Sequence, residues 1–214
     1  MKILFLGNSH TFVHYVPARV AHFCGSHGAP LETAMLTHPG VGLDWHLEQS
    51  QTYYNLLYGR YDGVVLQHNA HPFPGKESLL QAGQRLGSLV PQGTKIYLYM
   101  TWSEKNNPQG QEAMSAAYEE LAQCIGAALC PVGRVWQQVR ASHPEGELYF
   151  ADGEHSSVLG ASLAATVIGR RLLGMDLSPT LCYEDAKVLE GLALDPRMLD
   201  LTVKDGKLAM APLG

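Results

Sequence analysis

The sequence predicts an α/β protein built on a parallel sheet of about five strands, with helices on both faces. Short apolar segments with a strand-like pattern alternate with longer segments of helical spacing, and the alternation continues over most of the chain. Strands joined in this way need right-handed crossovers, and parallel sheets are covered on both faces. The length of 214 residues suits a single domain with a large core.

The strands are predicted from short apolar runs bounded by turn-forming residues. The first is the unbroken run at 3–6, a weaker second strand lies at 31–36, and the third, at 62–67, is β-branched at its centre. A fourth strand is predicted at 95–100 and a short fifth strand at 131–135.

Helices are predicted between these strands wherever apolar residues recur at helical spacing. Pro17 suits the first turn of the first helix, because proline is tolerated there. The other helices are predicted at 43–58, 77–89, 111–129 and 158–173.

Residues 174–214 are interpreted as a C-terminal extension of this single domain, 1–214. Within it, the Asp205-Gly206 pair in the segment 202–208 is typical of a hairpin turn. A terminal hairpin exposes a strand edge on which a second copy of the chain can pair, so the extension also raises the hypothesis of a homodimer.

Composition excludes several functional classes. The formal charge of −5, without a basic cluster, gives no reason to expect nucleic acid or a membrane surface as partner. We see no signal peptide and no apolar run long enough to span a membrane, so we expect a cytoplasmic protein. No Cys-x-x-Cys pair is present. His10 and His14 have the i,i+4 spacing of zinc ligands but lack an evident third ligand, so we expect no metal and no cofactor.

Polar residues follow three of the predicted strands where a ligand would bind. Ser9 follows the first strand, Gly40 the second and Asn69 the third. Asp152 and His155 precede the last predicted helix. In open α/β sheets ligands bind outside the carboxyl ends of the strands, so all five residues can lie at one edge.

These residue types suit acyl transfer by a serine nucleophile. The hydroxyl of Ser9 needs a base to accept its proton, and His155 can serve as that base. Asp152, three residues earlier, can hold the imidazole in one tautomer and stabilise the imidazolium. The N–H groups of Ser9 and Gly40 and the amide of Asn69 can form the oxyanion hole.

The same blocks resemble the SGNH (GDSL-like) hydrolases. These blocks are Gly-Asn-Ser at 7–9, the glycine at 40, the asparagine at 69 and Asp-x-x-His at 152–155. The resemblance covers roughly residues 1–173. It implies a three-layer α/β/α, flavodoxin-like sheet and esterase or lipase chemistry, with Ser9 as nucleophile, Gly40 and Asn69 as oxyanion donors, and His155 and Asp152 as base and orienting carboxylate.

Three blocks depart from the usual family motifs. Gly-Asn-Ser replaces Gly-Asp-Ser, Gln-His-Asn-Ala at 67–70 keeps only the asparagine of Gly-x-Asn-Asp, and serine follows His155 where proline is usual. The Gly-Asn-Ser block and the Leu-Gln after the third strand look most similar to carbohydrate O-acetyl esterases.

Further residues near these blocks are interpreted as candidates for the substrate pocket. These are Asn8, His10, Trp45, His68 and Trp102. Four of them also have a structural interpretation: Asn8 as a turn former, Trp45 as packing for a helix, and His10 and His68 as ordinary loop residues. The stretch 101–110 after the fourth strand is placed either as a lid or as a plain surface connection.

We therefore expect an esterase that deacetylates a sugar or small polyol through an acyl-enzyme, without a cofactor. Two alternatives stay open. One is a lipase or thioesterase acting on longer acyl chains, which shares the chemistry. The other is a non-catalytic flavodoxin-like module that binds a small molecule, although only one glycine follows the first strand, which is too few for a phosphate loop.

Overall fold

The computed structural model describes residues 1–193, 201–204 and 207–210. Its main sheet has five parallel strands in the order β2-β1-β3-β4-β5. Their bounds are Lys2–Gly7 for β1, Glu32–Thr37 for β2, Gly63–Leu66 for β3, Lys95–Tyr99 for β4 and Ala128–Cys130 for β5. This order is that of a doubly wound, flavodoxin-like sheet.

Nine α-helices occur in the described residues. In chain order, they are α1 (Ser9–Phe12), α2 (Val16–Ser26), α3 (Leu43–Leu47), α4 (Ser50–Tyr58), α5 (Lys76–Leu89), α6 (Gly110–Ile125), α7 (Val132–Ser142), α8 (Val158–Leu173) and α9 (Pro179–Glu190). Among the same residues, no helix is long and apolar enough to cross a membrane.

Side chains alternate along each strand, so apolar residues of β1 point to both faces of the sheet, and helices cover both faces. In β1, Ile3 and Phe5 pack with α2, α7, α8 and α9, whereas Leu4 and Leu6 pack with α3, α4, α5 and α6. Both faces of this strand are therefore buried, as the unbroken apolar run predicts. The predicted three-layer α/β/α arrangement is confirmed.

The topology places one end of β1 at the point where ligands bind in such sheets. The chain passes from β1 to β2 on one side and then returns to β3 on the other. The loops after β1 and β3 therefore diverge at the carboxyl ends of neighbouring strands, which opens a crevice between them.

The predicted fifth strand at 131–135 is wrong, although a fifth strand exists. Gly126, with φ of 64°, ends α6 in a left-handed cap, so the strand comes earlier, at Ala128–Cys130. The apolar residues at 132, 135, 136 and 139 then lie on the buried face of α7, which was not predicted. The helical spacing of these residues becomes visible only when positions 136 and 139 are included with 132 and 135.

Other boundaries also differ from the prediction. The segment 43–58 forms two short helices, α3 and α4, and helical structure begins at Ser9, before Pro17. In the tail, strands β6 (Leu201–Lys204) and β7 (Lys207–Met210) pair antiparallel, and residues 205–206 between them lie outside the described residues.

Candidate active site

The turn between β1 and α1 presents Ser9 at the start of a helix. Asn8 is the N-cap residue, and its Oδ1 accepts a hydrogen bond from His10 N at 3.0 Å. Its Nδ2 donates to Val41 O at 2.8 Å, which fastens this turn to the loop after β2. Ser9 is the first helical residue, so its own N–H has no acceptor within the helix and can serve a ligand.

Gln67, at the end of β3, holds the same turn from the other side. Its Oε1 accepts hydrogen bonds from Asn8 N at 2.8 Å and from Thr11 Oγ1 at 3.0 Å. A Cβ on Gly7 would lie 2.5 Å from both the Gln67 and the Thr11 oxygens, so a larger residue there would displace these two side chains. Gln67 therefore fixes the backbone that carries Ser9, a role that its position in the sequence did not reveal.

A tight turn before α8 joins Asp152 to His155. Asp152 Oδ1 accepts hydrogen bonds from Glu154 N and His155 N, each at 2.9 Å. Its Oδ2 lies 2.7 Å from His155 Nδ1. Burial acts to raise the pKa of Asp152, but the hydrogen bonds from Glu154 and His155 outweigh it and hold the pKa below its ordinary value.

The fold brings the start of the chain to the turn before α8 at this point. His155 Nε2 lies 2.8 Å from Ser9 Oγ, although 146 positions separate them in the sequence. With the contact to Asp152, the hydroxyl, the imidazole and the carboxylate form one continuous hydrogen-bonded line. Such a line can move the serine proton to the imidazole while the carboxylate stabilises the resulting charge.

Two further histidines, His10 and His71, form a cluster with His155 and remain neutral. His10 stacks on the His155 ring with centroids 5.1 Å apart, and His71 meets His10 edge to face at 4.7 Å. Burial lowers the pKa of His71 to about 4 and lowers the pKa of His10 well below its ordinary value. At neutral pH neither ring adds a positive charge beside His155.

A cavity of about 550 Å³ opens over Ser9 and His155. Gly40 and Asn69 line it, so four of the five residues predicted for the chemistry meet in one cavity. Gly40 has φ of 69°, a left-handed conformation that favours glycine. Asp152 lies behind the imidazole and lines a neighbouring cavity of about 480 Å³.

Of the five residues predicted for the substrate pocket, only His10 lines the cavity. The cavity wall also contains Phe12, Pro39, His71 and Glu154, which were not predicted as pocket residues.

The four other candidates have structural contacts instead. Asn8 caps α1, as described above. His68 is buried, and its Nδ1 accepts a hydrogen bond from Leu43 N at 2.9 Å. Trp45 packs against His38 with centroids 5.0 Å apart. Trp102 is completely buried beneath the site.

The stretch 101–110 packs beside the turn at 152–155. Lys105 N donates to Gly153 O at 2.9 Å, and Tyr149 Oη donates to Ser103 O at 2.8 Å. No residue of this stretch lines the cavity over Ser9. In the described structure it supports the wall of the site and does not cover it.

In the described part of the chain, no group of three or more histidine, cysteine, aspartate or glutamate side chains is arranged to hold a metal ion. His10 faces His155 and His71, and its i,i+4 neighbour His14 lies beyond the end of α1 with φ of 52°.

Comparison with solved structures identifies the fold. An acetyl xylan esterase from Geobacillus stearothermophilus superposes with a TM-score of 0.64 at 14% identity, covering 82% of this chain and 96% of that one. A member of the lipolytic G-D-S-L family from Veillonella parvula gives 0.58 at 13% identity, covering 81% and 97%. The esterase EstA from Pseudoalteromonas sp. gives 0.58 at 11% identity, again covering 81% and 97%.

No family model and no curated protein sequence matches the chain. The structural likeness nevertheless extends over nearly the whole length of each of these proteins, and it agrees with the strand order and the layers described above. The chain therefore has the fold of the SGNH (GDSL-like) esterases.

Proposed function

We propose that this protein is a serine esterase that removes a small acyl group, acetyl, from a sugar or small polyol. The observation that carries the proposal is the 2.8 Å contact between Ser9 Oγ and His155 Nε2, continued by the 2.7 Å contact between His155 Nδ1 and Asp152. A serine hydroxyl becomes a competent nucleophile when a positioned base accepts its proton.

The proposed reaction has two stages. His155 Nε2 takes the proton from Ser9 Oγ, which attacks the ester carbonyl carbon, and the negative oxygen is stabilised by Ser9 N–H, Gly40 N–H and the Asn69 amide. When the intermediate collapses, His155 gives the proton to the departing alcohol oxygen and an acyl-serine remains. Water, deprotonated by His155, then attacks the acyl-serine. When this second intermediate collapses, the acid is released and His155 returns the proton to Ser9 Oγ.

One comparison supports an acetyl ester as the substrate, and two others support the roles of Asp152 and His155. One structural neighbour is an acetyl xylan esterase. Two further structures of that enzyme are catalytic mutants, in which either an aspartate or a histidine three positions after it is replaced by alanine. Asp152 and His155 have the same order and separation here.

A longer acyl chain is the second candidate, because the cavity wall contains Phe12 and Pro39 and another neighbour is a lipolytic protein. A series of p-nitrophenyl esters from acetate to dodecanoate, run beside an acetylated xyloside, separates the two. We expect kcat/KM to be highest for acetate and to fall with chain length. A maximum at eight carbons or more would instead support the lipase.

A fluorophosphonate probe tests the chemistry independently of substrate choice. We expect covalent labelling of the native protein at Ser9, located by mass spectrometry of the modified peptide, and no labelling after denaturation. An unlabelled native protein that also fails to hydrolyse every ester in the series would favour the non-catalytic binding module.

The amide of Asn69 is expected to act on the oxyanion. Its Nδ2 makes only a long 3.4 Å hydrogen bond to Pro72 O, so the donor can turn toward a charged oxygen in the cavity. Asn69→Ala should lower kcat for p-nitrophenyl acetate by about a hundredfold, the usual effect of losing one such donor. The exposed Asn106, changed to alanine, is the matched control and should keep the wild-type kcat. Equal kcat values in both variants would remove Asn69 from the oxyanion hole.

A further inference from the structure

Trp102 contacts three separate parts of the site, although it does not line the cavity. Its indole Nε1 donates a hydrogen bond to Glu154 O at 2.8 Å, inside the turn that carries His155. Its backbone oxygen accepts a hydrogen bond from His71 Nε2 at 3.0 Å, in the loop after β3. Its ring meets His10, next to Ser9, edge to face at 5.1 Å.

Trp102 is itself held firmly. It is completely buried just beyond the end of β4, and its ring stacks on Trp136 of α7 with centroids 3.8 Å apart and planes 7° from parallel. The segment before it is also fixed, because Gly133 N donates to Met100 O at 3.1 Å. A side chain that is buried and stacked on a helix residue can hold in place the backbone to which it hydrogen-bonds.

The turn at 152–155 needs such an external support. Its internal hydrogen bonds, from Phe150 N to His155 O and from Gly153 N to Phe150 O, shape the turn. Lys105 N anchors its first half from outside, through Gly153 O at 2.9 Å, and Trp102 adds an anchor at Glu154, directly before His155. The contact between His155 and Ser9 depends on where this turn lies. The indole N–H of Trp102 joins the turn to the core between Asp152 and His155, the two residues that must stay aligned.

We propose that Trp102 is a positioning residue for the base. Its N–H holds the turn so that His155 Nε2 stays within hydrogen-bonding reach of Ser9 Oγ, and its carbonyl fixes the tautomer of His71, with the proton on Nε2. The expected loss of kcat rests on the proposed esterase function. The position of the His155 imidazole does not rest on it and can be measured separately.

Trp102→Phe tests the proposal, with Trp136→Phe as its matched control. Both changes replace a fully buried tryptophan of the same stacked pair, but only the first removes the hydrogen bond to Glu154. We expect similar losses of melting temperature in the two variants. Trp102→Phe should lower kcat for p-nitrophenyl acetate by 10- to 100-fold with KM within twofold of wild type, and Trp136→Phe should keep kcat within about threefold. Equal losses of kcat would show a packing effect and overturn the proposal.

The proton between His155 Nδ1 and Asp152 Oδ2 gives a readout that needs no substrate. Short hydrogen bonds of this kind produce a far-downfield proton resonance, which we expect in the wild type and in Trp136→Phe. In Trp102→Phe the resonance should broaden or disappear through exchange with water. An unchanged resonance in Trp102→Phe would refute the proposal, even if the wild type proves to hydrolyse no ester. Absent ester hydrolysis with the expected resonances would instead count against the esterase function alone.

Discussion

Replacing Ser9 by alanine is expected to abolish ester hydrolysis, with kcat falling by on the order of 10⁵-fold or more. The variant keeps the cavity and the oxyanion donors but has no atom that can form the acyl-enzyme. His155 then faces a methyl group in place of the hydroxyl that now lies 2.8 Å from its Nε2. Small residual activity from the oxyanion hole and from binding is compatible with this expectation.

The fold should survive this change, which keeps the result interpretable. Ser9 Oγ bonds to His155, whereas the turn around it is held by the backbone and side chain of Asn8 and by Gln67. We expect the melting temperature to stay within a few degrees of wild type. Ser88→Ala, which removes an exposed helical hydroxyl, serves as the control and should keep full activity. A Ser9→Ala protein with near wild-type kcat would exclude Ser9 as the nucleophile.

The residues that meet in the site could be predicted because, in a parallel sheet, the order of the strands along the chain indicates which loops lie at the same edge. A residue directly after an apolar strand lies at the carboxyl edge of the sheet, and the next parallel strands end at the same edge. Ser9, Gly40 and Asn69 each follow such a strand, so their meeting in one cavity follows from the pattern of strands alone. Asp152 and His155 lie instead directly before α8, the last helix that the sequence predicts, and this position can also bring them to the carboxyl edge.

The contacts that support these residues could not be predicted in this way. His68 and His71 are three positions apart in one loop, yet one is buried against Leu43 and the other lines the cavity. Which ring faces the cavity depends on the path of the loop and on its contact with Trp102. That contact joins residues 31 positions apart, and no local periodicity encodes such a pair.

The fifth strand shows the same limit at the level of secondary structure. Residues 131–135 contain apolar side chains that suit a short strand or the first turn of a helix equally well. The choice is made by residues on either side: Gly126 ends α6 early enough for Ala128–Cys130 to pair with β4, and the apolar face of α7 continues to Val139. The number of strands in the main sheet can therefore be predicted from the sequence, whereas the bounds of the fifth strand depend on tertiary packing.

Asp152→Asn is expected to lower kcat by about 10³- to 10⁴-fold while the fold is retained. The asparagine Oδ1 can still accept the hydrogen bonds from Glu154 N and His155 N, so the turn should keep its shape. The amide NH₂ then faces His155 Nδ1 and donates to it. The ring must therefore carry its proton on Nε2, where it can no longer accept the proton of Ser9.

The loss of kcat should come from this tautomer and from the missing negative charge. Asp176→Asn is the matched control. Asp176 also accepts a backbone hydrogen bond with Oδ1, from Ser178 N at 3.0 Å, but it lies in the turn before α9. Activity on p-nitrophenyl acetate should be unchanged in that variant. Because the pKa of Asp152 is held below its ordinary value, its carboxylate stays charged at neutral and mildly acidic pH, so the difference between the variants should persist from pH 6 to 8. An Asp152→Asn protein within tenfold of wild type would show that the carboxylate does not orient or stabilise the imidazole.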